Sequence, residues 1–108
     1  MKAAGDFQVR YTAGAREDLL RLFDFLLERA KTVSDLDGAQ AAIDAIRAAI
    51  ETQLARSPLV YRKAGIDPFL RELIIPFGSA GYVVLYEIAA ERIVNVLAVR
   101  HQLEDDYH

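Results

Sequence analysis

A chain of 108 residues and 12.1 kDa is near the usual size of one domain, which excludes a second hydrophobic core and predicts a single domain over residues 1–108. With no cysteine, disulfides and thiolate chemistry are ruled out, and a reducing cytoplasm suits the composition. The formal charge of −3 has the wrong sign for a protein whose main task is gripping phosphate backbones, so nucleic-acid binding would need a local basic patch.

"MKAAGDFQVRYT" runs into charge at Asp6 and Arg10 before an apolar signal core can form, and no later apolar run approaches a membrane span. The expectation is a soluble, unprocessed, cytoplasmic protein with no membrane contact. Apolar residues make up 53% of the chain, a fraction that exchanging 5 Tyr for 6 Gly hardly alters. The usual share is about 45–50%, and a small domain cannot bury the excess alone, so part of it is expected to face a partner.

"FQVRYT" alternates Phe7, Val9 and Tyr11 with Gln8, Arg10 and Thr12, the period of a half-buried strand. From Ala15 the period lengthens: Leu19, Leu22, Phe23, Leu26 and Ala30 recur at three and four residues, with Arg16, Glu17, Arg21, Asp24 and Glu28 opposite. That spacing predicts an amphipathic helix, with Thr12 placed to cap it. After "KTV", Ser34 or Asp35 is expected to open a second helix with the stripe Ala39, Ile43, Ile46, Ile50 and Leu54, ended by Ser57-Pro58. So short a link makes the pair an αα-hairpin.

The remainder is strand-like. "FLRELIIPF", "YVVLYEI" and "RIVNVLAVRH" are separated by a turn over Gly78–Gly81 and another at "AAE", which predicts a three-stranded antiparallel meander. The order is β-α-α-β-β-β and the fold class α+β. Strict alternation would put Arg100 on one face with Val94, Val96 and Ala98, and His101 on the other with Asn95, Leu97 and Val99. Tyr82 and Tyr86 share a face, where sheet packing explains them better than base stacking.

This element order, with "YTAGAREDLLRLFDFL", "LRELIIPFGSAGYVVLYEI" and "VNVLAVRHQLEDDY", resembles the RelE/ParE family of small toxins from bacterial type II toxin-antitoxin pairs, with the ParE-like branch favoured. The likeness runs from about Val9 to Tyr107. It is carried by a helix opening on Ala15, Asp18 and Leu19, by Arg71 at the start of the second strand, by "GYVVLYEI", and by "VLAVRHQ". The resemblance implies a helical hairpin on a twisted antiparallel sheet with the first strand at an edge, a cognate antitoxin that wraps the toxin, and a role in plasmid stabilization. It also implies one of two targets, since one branch of the family resembles ribosome-dependent mRNA endoribonucleases and the other resembles inhibitors of DNA gyrase.

An RNA cleaver needs groups to take and give protons and cations for the charge developing on phosphate. Arg71, Arg100, His101 and Tyr107 are the candidates for that reading. Against it, Glu104, Asp105 and Asp106 surround the same tail and would repel RNA, and the chain lacks the strongly basic character that the ribonuclease branch resembles. The expected function is therefore gyrase inhibition without enzymatic activity; ribonuclease action on ribosome-bound mRNA, or a non-toxic antitoxin-binding module, stand as alternatives. Arg62, Lys63, Arg71, Arg100 and Tyr107 are the expected target-binding residues, and Leu19, Phe23 and Leu26 the expected antitoxin-binding ones. "VYRKAGIDPF" also displays Tyr61, Ile66 and Phe69, a mixture suited to a protein interface. In "VLAVRHQLEDDYH", Val96–Val99 read as the end of a central strand, with Arg100 able to pair Asp105 or Asp106 and Tyr107 able to anchor an interaction surface. No cofactor is expected. His101, Glu104, Asp105 and His108 make a poor metal site, because flexible tail ligands lack an ordered outer shell.

Overall fold

A computed structural model of the chain describes residues 6–77, 80–89 and 91–102. Strand β1 (Gln8–Tyr11) leads into helix α1 (Ala13–Arg29), and a three-residue link leads on to helix α2 (Val33–Arg56). Four strands follow: β2 (Arg62–Lys63), β3 (Leu70–Phe77), β4 (Ala80–Ala89) and β5 (Ile93–His101). They form one sheet of order β1-β5-β4-β3-β2, in which β1 runs parallel to β5 and the other pairs are antiparallel. The expected meander is β3-β4-β5, and the first strand lies at an edge as expected. The two-residue β2 was not anticipated, since two residues carry no periodicity.

Both helix starts follow from side-chain capping. The Thr12 hydroxyl accepts from the Ala15 amide at 3.2 Å and lies 3.0 and 3.3 Å from the carbonyls of Val96 and Leu97, so one side chain caps α1 and ties it to β5. Helix α2 opens earlier than Ser34: Thr32 is its N-cap, accepting from the Asp35 amide at 3.1 Å, while the Asp35 carboxylate accepts from Lys31 N at 2.9 Å. Asp35 sits at the third helical position and acts as the reciprocal partner of the cap. At the other end Pro58 is buried just beyond Ser57, the last turn's C-cap.

The helices cover one face of the sheet. Ala15, Leu19 and Leu22 of α1 and Ile43, Ile46, Ile50 and Leu54 of α2 meet Leu73, Ile75, Tyr82, Val84, Tyr86, Val94, Val96 and Val99. Ile46, Ile50 and Leu54 are wholly buried, each contributing on the order of 1.5–3 kcal/mol to folding. Gly81 of β4 admits no side chain, for a Cβ there would stand 2.5 Å from the Ile75 carbonyl oxygen.

The face assignment of β5 differs from strict alternation. Leu85 pairs with Ala98 but Tyr86 with Val96, so Leu97 is an extra residue in a bulge. Beyond it the parity reverses. Val99 and His101 join Val94 and Val96 on the helix-covered face, and Arg100 shares the other face with Ala98 and Val83. Alternation over "VNVLAVRH" could not reveal this, because residues on both sides of the bulge are apolar. Strand β1 ends at Tyr11, and past that point α1 takes over its role: the buried Asp18 carboxylate accepts the Val99 amide at 2.8 Å. Gly78 and Ser79, where a turn was expected, Ala90, and the residues from Leu103 onward lie outside the described residues.

Candidate functional surfaces

Helix α1 buries Leu19 and Leu22 but leaves Leu20 64% and Phe25 47% exposed. A shallow depression edged by Glu17, Asp24 and Glu28 runs along this exposed face, and two more apolar grooves flank the helix. One, of about 630 Å³, runs between its C-terminal half and the sheet end, where Leu22, Phe25, Leu26, Tyr82 and His101 form the walls and Arg21 and Arg29 the rim. The other, of about 490 Å³, lies between α1 and α2 over Leu19, Phe23 and Ile43, with Arg16 and Arg47 beside it. Of the expected antitoxin-binding residues, Leu19 and Phe23 therefore line one groove and Leu26 the other. Leu20 and Phe25, exposed beside them, were not among the expected residues. The signal was available in their position outside the main stripe, where a surface helix normally carries polar side chains. Arg29 stacks on the Phe25 ring at 4.4 Å, which holds that ring against the helix surface.

Tyr11 and Tyr82, which line these grooves, and Tyr86 in the core keep their protons. Burial, then the Glu51 carboxylate, pushes Tyr11 up to about 12, and burial also raises Tyr82 and Tyr86. Neutral phenols that hydrogen-bond are structural anchors, not acids at neutral pH: Tyr11 donates to Glu51 at 3.3 Å and Tyr86 to the Pro58 carbonyl at 2.6 Å.

The residues drawn together by the ribonuclease reading are spread over the sheet. Arg71 pairs across with Tyr86 on the helix-covered face, and its guanidinium donates to the carbonyls of Tyr61 at 2.8 Å and Leu59 at 3.2 Å. His101 is on the same face but opposite Tyr82, stacked edge-on to that ring at 5.5 Å. The two pairings are four residue steps apart on β4, about 13 Å along the strand, with Arg71 and His101 on opposite neighbours of β4. Arg100 is on the other face, donating to the carbonyls of His101 at 3.3 Å and Gln102 at 3.5 Å. Tyr107, Asp105 and Asp106 lie outside the described residues. Arg62 and Lys63 are exposed on β2, with Arg62 held by Glu72 at 2.8 Å.

Among the described residues no helix is long and apolar enough to cross a membrane. Residues 9–106 match the family model described as the ParE toxin of the type II toxin-antitoxin system parDE. Toxin RelE3 of Caulobacter vibrioides is 37% identical over 90 residues, covering 83% of this chain and 88% of that protein. Among solved structures, the chromosomal ParDE system of Pseudomonas aeruginosa matches with a TM-score of 0.68 at 13% identity, over 88% of this chain and 95% of that one. The RelBE2 toxin-antitoxin complex of Mycobacterium tuberculosis matches at 0.59 and 20% identity, over 96% and 100%. A free-state mutant of Escherichia coli RelE matches at 0.57 and 14%, over 87% and 81%.

Proposed function

From the premise that the chain belongs to the ParE toxin family of type II toxin-antitoxin systems, we propose that it arrests growth by inhibiting DNA gyrase and is silenced by an antitoxin seated on α1. The observation that carries the target assignment is the dispersal of the groups that RNA cleavage would need. Proton transfer and charge stabilisation at one phosphate demand groups within hydrogen-bond reach of one another through the substrate. Arg71 and His101 stand far apart on one face, and Arg100 is on the other. A binding mode of inhibition asks for no such convergence, and Arg62, Lys63, Arg71, Arg100 and Tyr107 remain its proposed contacts.

The antitoxin reading rests on α1. An exposed apolar ridge at Leu20 and Phe25 suits an amphipathic helix: the two apolar grooves beside it are edged by Arg16, Arg21, Arg29 and Arg47, while Glu17, Asp24 and Glu28 stand along the ridge, so a partner helix of mixed charge fits. Such a segment would be disordered alone and fold on the toxin. The protein acts in the cytoplasm on this account, where its target resides. Inducing the toxin without antitoxin, then comparing DNA-break signalling with mRNA integrity, tests the reading. The expected result is induction of the DNA-damage response with intact transcripts; codon-specific transcript cuts without damage signalling would overturn it.

A further inference from the structure

The loop between α2 and β3 is held from beneath. The Tyr86 hydroxyl, from a residue with no exposed surface, donates to Pro58, and the Arg71 guanidinium donates to the carbonyls of Leu59 and Tyr61. Farther along, Ala64 N donates to Leu70 O at 2.9 Å, the Phe69 amide donates to the Asp67 carboxylate at 2.9 Å, and Gly65 takes the positive φ of +59° that the turn needs. A linker requires none of this. Yet Val60 is 72% exposed, Ile66 103% and Phe69 73%.

Rigid backbone beneath projecting apolar side chains is the arrangement that lowers the ordering cost of binding, and apolar groups clustered at a surface mark interaction sites. The charge around them selects the partner. Residues 56–72 hold Arg56, Arg62, Lys63 and Arg71 against Asp67 and Glu72, a local excess of positive charge in a chain of net charge −3; with Arg62 paired to Glu72 and Arg71 turned to the loop carbonyls, exposed Arg56 and Lys63 carry it. Valine and isoleucine give nothing to phosphates and stack poorly on bases, and of the three side chains only Phe69 could stack on one, so a protein fits better than a nucleic acid. The sheet order also places β2 and β3 at the far end from β1 and β5, where α1 packs, so this surface and the α1 grooves are separate.

We propose that Val60, Ile66 and Phe69, ringed by Arg62 and Lys63, form the surface that engages the poisoned target, and that the target offers an acidic protein face with an apolar recess. This rests on the reading that the toxin acts by binding a protein. The test compares the wild-type chain with a Val60→Ser, Ile66→Ser, Phe69→Ser triple variant and with Lys63→Glu. Each is assayed for inhibition of supercoiling by purified gyrase, for growth inhibition on induction, and for binding of single-stranded RNA, with thermal unfolding as the control for folding. The expected result is at least tenfold weaker gyrase inhibition by both variants, with matching loss of growth inhibition and unchanged unfolding temperature. A wild type that inhibits gyrase and variants that inhibit it equally would overturn the surface assignment and leave the gyrase reading standing. A wild type without effect on gyrase would end that reading instead. In that case loss of growth inhibition in the variants would support another protein target, and retained growth inhibition would overturn the surface too. RNA binding by the wild type that the triple variant loses would overturn the choice of a protein partner.

Discussion

Replacing Asp18 by alanine tests the junction between α1 and the bulged strand. The carboxylate is 3% exposed and accepts the Val99 amide at 2.8 Å, at a point where β1 has already ended. Asp18→Ala leaves that buried amide unsatisfied, a cost of about 1–3 kcal/mol, and removes a charge-assisted bond at the upper end of that range. The neighbouring Arg21 guanidinium is 3.9 Å away and its side chain 49% exposed, so that ion pair adds little. A net loss of about 2–3 kcal/mol follows. With an unfolding entropy near 2.1 cal/mol/K per residue, 108 residues convert this to a fall of roughly 9–13 °C in Tm. Asp18→Asn retains an acceptor and should lose no more than about half as much. Calorimetry with amide exchange at Val99 is the assay. An alanine variant that melts within about 2 °C of wild type, with Val99 still protected from exchange, would refute the reasoning.

Leu20→Asp and Phe25→Asp place charge on exposed positions of α1, so both should fold normally and bind antitoxin at least about tenfold more weakly, measured by titration calorimetry. At alkaline pH the raised phenols set the stability. An unfolded tyrosine ionises near 10, and Tyr11 in the fold only at about 12, so the stability present below pH 10 is lost as pH climbs from 10 through 12. Ultraviolet phenolate titration should show Tyr11, Tyr82 and Tyr86 ionising late, together with unfolding. Gly81→Ala forces a methyl against the Ile75 carbonyl and should cost about 1–3 kcal/mol by denaturant unfolding.

The helices were legible in the sequence because each buries one stripe, and a stripe at three- and four-residue spacing survives every detail of packing. The meander was legible for the same reason at period two. What escaped was set by neighbours remote in the chain. The Leu97 bulge turns Arg100 and His101 to the opposite faces from those alternation assigns, and only the pairing with Leu85 and Tyr86 exposes it. The engagement of Arg71 depends on a loop that returns over it from the end of α2. Asp18 reads as one more charge on a helix until Val99 is brought against it. Leu20 and Phe25 were visible as letters, but their exposure follows from which side of α1 the sheet occupies.

The target is tested most directly by adding purified toxin to gyrase, relaxed plasmid and ATP and measuring both supercoiling and protein-linked linear DNA. Dose-dependent loss of supercoiling is the predicted result, with linear DNA released by detergent and protease if the block traps the cleaved state. Unaltered supercoiling at toxin concentrations that cut mRNA on programmed ribosomes would contradict the account.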